Sequence, residues 1–166
     1  MFNTNVIVKP IFININEIDK NLKKNVENNV RKLFENVCNN EYGYILDITE
    51  IKLNKDYFMT RSSNKIVVHP EITFNSIKPC VGDVYFSKVK MVFKQGIFVS
   101  VYDKFNCLIV KDKFPDYVFT EDKYIKESEE EDGEDKTISI GDEMNIIIQN
   151  VSFDKNNFNC IADLIV

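Results

Sequence analysis

The 166-residue chain has no tryptophan, one histidine, two arginines and one alanine, and none of its four cysteines falls in a C-x-x-C pair. Each scarcity excludes something. The single histidine, His69, sits in the strand-like IVVHP, and no G-x-S-x-G accompanies it, so a nucleophile with an adjacent base has no template. A phosphate loop of the G-x-x-x-x-G-K type is also missing. Cys38, Cys80, Cys107 and Cys160 are too widely spaced for a zinc or redox motif, and read as buried or half-buried thiols in a reducing compartment. No apolar run approaches the roughly 20 residues of a membrane helix. The opening MFNTNVIVKP lacks the charged and apolar regions of a secretory signal, so an intracellular place is expected. Enzyme, metal and cofactor are not expected.

The sequence that is present is ordinary globular material, 44% hydrophobic and 28% charged with a net charge of -5. The charge is local. Glu127, Glu129, Glu130, Glu131, Asp132, Glu134 and Asp135 crowd into nine residues, and without these seven the chain carries 19 acids against 21 bases. A like-charged run with a glycine and no apolar periodicity repels itself, which predicts a disordered loop at about 121–137. Abundant Asn, Ile and Lys beside scarce Arg and Ala point to an AT-rich genome.

The texture divides the chain at Pro79. Residues 1–78 read as strand, helix, strand, loop, strand. NVIVKPIFINI alternates apolar residues around Pro10, which marks a bulge or an edge. Ile18, Leu22, Val26, Val30, Leu33 and Val37 form one helical stripe of about five turns, with Asn16 as N-cap and Asp19 in the first turn. Gly43 suits a positive-φ turn. Three strands and a helix make a thin domain whose other sheet face needs cover. From 79 to 166, five short strands punctuated by glycine predict a small closed barrel of the oligonucleotide-binding type. Gly82-Asp83 followed by Val89 echoes Gly141-Asp142 followed by Ile148. The fold class is therefore α+β.

In IFVSVYD, strand alternation turns Ile97, Val99 and Val101 inward and leaves Phe98, Ser100 and Tyr102 outside. Exposed rings stack on unpaired bases at roughly 1–3 kcal/mol each. Lys88, Lys90, Lys104, Lys111 and Lys113 flank them as candidate phosphate contacts. So few cations beside an acidic loop predict weak, salt-sensitive contact with single-stranded RNA rather than tight duplex binding. Packing against a protein partner is the competing use of the same rings.

Several stretches together resemble the stalk subunit of multisubunit DNA-dependent RNA polymerases, the seventh-largest subunit of RNA polymerase II and its archaeal homologue. They are VCNNEYGYILDITEI, the junction IKPCVGDV, KVKMVFKQGIFVSV, CLIV and the terminal GDEMNIIIQNVSFDKNNFNCIADLI, with Pro79, Gly82, Asp83, Gly96 and Phe98 as the most specific positions. The resemblance implies a truncated ribonucleoprotein-like tip domain (residues 1–78, a three-stranded sheet plus one long helix) and an S1-type barrel (79–166). It implies a non-catalytic subunit that docks at the clamp base on the largest subunits, supports initiation and guides nascent RNA. A smaller helical partner, counterpart of the fourth-largest subunit, would accompany it. By the same carry-over Gly43, Tyr44 and the loop 54–64, with Tyr57 and Phe58, are core-docking candidates. Pro79, Gly82 and Asp83 form the domain junction. The residue usage fits a large DNA virus, placing the protein in a viral cytoplasmic factory or virion; an AT-rich eukaryote would place it in the nucleus. A free-standing S1-type RNA-binding protein of translation or RNA decay is the alternative.

Overall fold

The computed structural model describes residues 2–18, 21–53, 57–59, 64–127 and 135–165, with the backbone alone at 17 and 57–59. The chain divides into two compact units, Met1–Lys78 and Pro79–Val166. Among the described residues no helix is long and apolar enough to cross a membrane.

The first unit contains β1 (Phe2–Val8), β2 (Ile11–Asn14), α1 (Leu22–Phe34), β3 (Cys38–Asn39), β4 (Gly43–Lys52), β5 (Tyr57–Met59), β6 (Lys65–Val68) and β7 (Glu71–Ile77). They make two sheets, ordered β1-β7-β4-β3 and β2-β6-β5. The expected single three-stranded sheet is thus replaced by seven strands in two sheets, and the cause lies in two prolines. Val8 stands opposite Glu71 and Ile11 opposite Val68, so Lys9-Pro10 faces His69-Pro70 in one continuous antiparallel register. Neither proline has an N–H to give the ladder. Pairing lapses on both strands at one level, and a single ribbon feeds two sheets.

The helix is shorter than its apolar stripe. Val26 and Val30 are fully buried, and Leu22 and Phe34 pack partly buried on the same core. That is a strict step of four, which brings Phe34 inside and leaves Leu33 57% exposed. Ile18 and Val37 lie beyond the ends of α1 and are exposed. Asn16 belongs to a 3-10 turn, Ile15–Glu17, and the residue before the helix is Asn21, whose side chain makes no capping bond. Asp19 lies outside the described residues. Without a cap, α1 depends on the core that Val26 and Val30 join, which also contains Ile11, Ile13, Ile45, Ile72 and Phe74. Each fully buried aliphatic side chain contributes roughly 1.5–3 kcal/mol.

In the second unit the five expected segments become the staves of a closed barrel. They are β8 (Val84–Phe93), β9 (Gly96–Val101), β10 (Phe105–Val110), β14 (Glu143–Asp154) and β15 (Asn157–Leu164). Between β10 and β14 lie β11 (Val118–Thr120), β12 (Lys123–Lys126) and β13 (Lys136–Ile138), which pair into a small sheet of their own. Around the barrel the order is β8-β9-β10-β15-β14, closing on β8, with β10 and β15 parallel and every other pair antiparallel. This closure is compatible with an oligonucleotide-binding fold. The stretch 121–137, expected as one disordered loop, instead contains β12 and the first two residues of β13, which pair with each other. Residues 128–134 lie outside the described residues.

The echoed glycine turns have a geometric meaning. Gly82 and Gly141 both take positive φ, and the aspartate after each accepts a hydrogen bond from a backbone N–H three residues before it. Asp83 Oδ2 accepts from Cys80 at 3.1 Å, and Asp142 Oδ2 from Ser139 at 2.7 Å. Each turn then crosses to the other strand. Gly82 N–H donates to the Ile148 carbonyl while Ile148 N–H donates to that of Asp83; Gly141 N–H donates to Val89 while Val89 N–H donates to Asp142. The two turn-and-strand pieces are related by a local twofold running through the β8–β14 pair, where Glu143 opposes Lys88 and Ile147 opposes Val84.

Candidate nucleic-acid interface

The outer barrel surface is ordered by register. Ile97, Val99 and Val101 are fully buried, as alternation requires, and Phe98 is 36% exposed on the opposite side. Ser100, expected outside with it, is buried among its neighbours. Across the staves Phe98 lies beside Met91 on β8 and Leu108 on β10, and Leu108 lies beside Ile161 on β15. Met91 is 58% and Ile161 40% exposed. Met91, Phe98, Leu108 and Ile161 therefore form an apolar row over four strands, about 14 Å long at the usual strand spacing. Beside it runs a second row, Lys88, Ser100, Asn106 and Asn159, which is polar.

Met91 is the residue that alternation misplaces. In KVKMVF, a two-residue period through Val89 carries Met91 into the barrel. A bulge between Val89 and Met91 inserts one residue and turns Met91 outward beside Phe98. Phe93 is likewise half-buried, its ring 5.4 Å from that of Phe98 at a tilt of 33°. Phe98 is thus presented in a small aromatic pair rather than alone. The hairpin carrying it is held from the small sheet by Tyr124, fully buried, whose hydroxyl donates to the carbonyls of Phe93 at 2.8 Å and Lys94 at 3.0 Å. Burial pushes the Tyr124 hydroxyl pKa up, which keeps it a donor. Nothing in the sequence pattern singled out Tyr124.

Gly96 opens β9 at φ +153°, and a Cβ there would overlap the Ile109 carbonyl oxygen. Only glycine allows β9 to start this close to β10.

The candidate cations fall into two groups. Lys88, Lys90 and Lys104 gather toward the β9–β10 turn with Tyr102 and Asp103, both at positive φ. Lys111 and Lys113 lie at the opposite end, in a 3-10 turn that follows β10. Two of these charges are compensated: Lys90 pairs with Asp103 at 2.7 Å and Lys113 with Asp163 at 3.1 Å. The hydrogen bond and charge of Lys90 hold the Asp103 carboxyl below the usual carboxylate range. Tyr102 is 52% exposed and stands edge-on to Tyr85, ring centroids 6.5 Å apart. The Tyr85 hydroxyl donates to Asp83 at 2.7 Å, which ties the turn to the junction residue. Pro79 is buried.

The core-docking candidates separate differently. Gly43 and Tyr44 are buried, and a Cβ on Gly43 would overlap the Ile77 carbonyl oxygen, so both serve the packing of β4 on β7 rather than an accessible surface. Tyr57 and Phe58 form the edge strand β5, paired to β6; their side chains, and residues 54–56 and 60–63 of the loop, lie outside the described residues. The first unit does expose large apolar side chains elsewhere. Phe2, Val6 and Val8 share one face of β1 and are each more than half exposed, while Ile7 turns to the core.

Two open grooves lie on the first unit. One, of about 400 Å³, is lined by Phe12, Leu33, Lys32 and Lys65 among others; the second, of about 360 Å³, by Thr4, Asp47 and Asn75 among others. Neither joins a nucleophile to a base. Among the described residues no three His, Cys, Asp or Glu side chains are placed to hold a metal ion. No protein-family model matches the chain, and no curated protein matches it.

Proposed function

We propose that this protein is a non-catalytic stalk-type subunit of a multisubunit DNA-dependent RNA polymerase, its first unit docking on the largest subunits and its barrel touching nascent single-stranded RNA. The observation that carries the reading is the outer row Met91, Phe98, Leu108 and Ile161 beside the polar row Lys88, Ser100, Asn106 and Asn159. Flat and apolar groups next to hydrogen-bonding ones suit stacked bases with their sugars and phosphates. Partial compensation of the lysines keeps the contact weak, as a transcript in transit requires. The S1-type character of the barrel and the ribonucleoprotein-like character of the first unit belong to this proposal. So does docking at the clamp base, for which the exposed Phe2, Val6 and Val8 supply apolar surface. A smaller helical subunit is the expected companion.

The test is purification of the tagged chain from its native source through a high-salt wash, with identification of what stays bound. Retention of the largest polymerase subunits supports the proposal. Recovery of ribosomal or RNA-decay proteins in their place transfers the reading to a free-standing RNA-binding protein. Tyr57→Asp with Phe58→Asp, and separately Val6→Asp with Val8→Asp, should reduce that retention; Phe98→Ala with Lys111→Ala should leave it intact and lower RNA crosslinking.

A further inference from the structure

The barrel closes on its weakest seam. Three registered residue pairs join β10 to β15, against six between β9 and β10 and eight between β14 and β15. The seam is also the one parallel pairing of the barrel, and parallel ladders are slightly less stable per residue. At its centre Cys107 stands directly opposite Cys160. Both side chains point into the barrel, 0% and 4% exposed, and both are free thiols.

We propose that Cys107 and Cys160 are an oxidation site, forming a reversible disulfide that staples the seam when a peroxide reaches it. Neighbouring strands lie about 4.7–4.9 Å apart, which puts residues in register within the roughly 4.4–6.8 Å Cα separation that disulfides span. Both Cβ atoms leave the same face of the sheet, so the sulfurs meet without a change of register. The two thiols share a hydrogen bond that splits them: with burial it holds the Cys107 thiol above its ordinary pKa, and it draws that of Cys160 below. In the closed barrel both sulfurs are shut away from solvent, so the pair is slow to react. Reaction requires the short seam to open. One cysteine, as thiolate, then attacks peroxide; the O–O bond breaks, hydroxide leaves and a sulfenic acid forms. The second sulfur attacks the first, the S–S bond closes, and the sulfenic oxygen departs as water. Overall two thiols and one peroxide give one disulfide and two waters. A dithiol reductant reverses the step.

The closed loop holds roughly fifty residues, long enough for the cross-link to remove substantial freedom from the unfolded chain. The staple sits one position from the Leu108–Ile161 pair, so it also fixes half of the outer apolar row. The inference does not depend on what binds there.

The experiment treats the folded full-length chain with hydrogen peroxide, then counts free thiols in denaturant and maps cross-linked peptides by mass spectrometry. The expected result is a fall from four titratable thiols to two, one peptide pair joining Cys107 to Cys160, and a melting temperature about 10 °C or more above that of the dithiothreitol-treated protein. In a variant with Cys38→Ala and Cys80→Ser the fall should be from two titratable thiols to none with the same rise in melting temperature, and in Cys160→Ala no bridge should form; the first keeps the test decisive if the second fails to fold. Four thiols surviving, losses confined to the exposed Cys80, or a bridge formed only from urea-unfolded chain would each overturn the proposal.

Discussion

Bulges bend a strand in each unit, at Ile45/Asp47 and Ile48/Glu50 in β4 as well as in the barrel, but the units differ in whether the ladder is cut. In the first, Pro10 and Pro70 fall at one level of an antiparallel ribbon and interrupt it, so that its two halves join different sheets. In the second, the ladder is never cut. It is curved by bulges at Val89/Met91 and Ile148/Asn150 and admitted into tight turns by glycine, until the sheet meets itself. Interruption leaves free edges, such as that of β1, which an assembly can cover; closure removes edges and turns one face of every stave outward. Under the proposed function, the interrupted sheets suit a docking unit and the closed barrel a binding surface.

The largest effect should come from attacking closure. Gly96→Val would drive a Cβ into the Ile109 carbonyl and should cost about 3 kcal/mol or more, read as a fall in denaturation midpoint. The matching change in the first unit, Pro10→Ala with Pro70→Ala, should cost no more than about 1 kcal/mol, because it restores two ladder donors while loosening the unfolded chain. Hydrogen exchange should then find new protected amides at positions 10 and 70. Equal losses from the two changes would erase the contrast.

Within the barrel, the local twofold can be broken on one side at a time. Asp83→Ala removes an acceptor for two donors, Cys80 N–H and the Tyr85 hydroxyl, whereas Asp142→Ala removes the acceptor for the Ser139 N–H. Losses of about 2 and 1 kcal/mol respectively are expected in chemical denaturation. Tyr124→Phe, which leaves the Phe93 and Lys94 carbonyls without their donor, should cost about 1–2 kcal/mol and loosen the β8–β9 hairpin.

These positions also show what a sequence can disclose. The five staves were legible because their apolar alternation is strong and glycines separate them, and the paired Gly-Asp turns announced a real symmetry. The first unit was harder to read. A proline inside an alternating run marks an interruption, but that Pro10 and Pro70 interrupt each other depends on a pairing across some sixty residues that no local pattern carries. The helical stripe misled at Leu33 because a step of three or of four from Val30 both land on apolar residues, and tertiary packing chose Phe34. At the candidate site Phe98 was readable from alternation. Met91 was not, because a bulge reverses parity without changing composition. The partners of Lys90 and Lys113 were equally hidden, since ion pairs such as Lys113 with Asp163 join distant segments.

The smallest predicted effect concerns charge. Asp103→Asn keeps a residue that tolerates positive φ while freeing Lys90, and should tighten single-stranded RNA binding about two- to threefold at low salt, measured by fluorescence anisotropy. Lowering the pH should act in the same sense. Lys90 holds the Asp103 carboxyl depressed, so the pair persists through the ordinary carboxylate range and is lost as the pH falls through that lower value.

The central claim is that RNA meets the outer face of the barrel along the row through Phe98. The most direct test irradiates the purified chain with a single-stranded oligonucleotide carrying 4-thiouridine and maps the adducts by mass spectrometry. The account predicts adducts within Met91–Phe98 and on β10, largely lost in Phe98→Ala while the fold is retained. Adducts confined to the first unit, or a pattern that Phe98→Ala leaves unchanged, would contradict it.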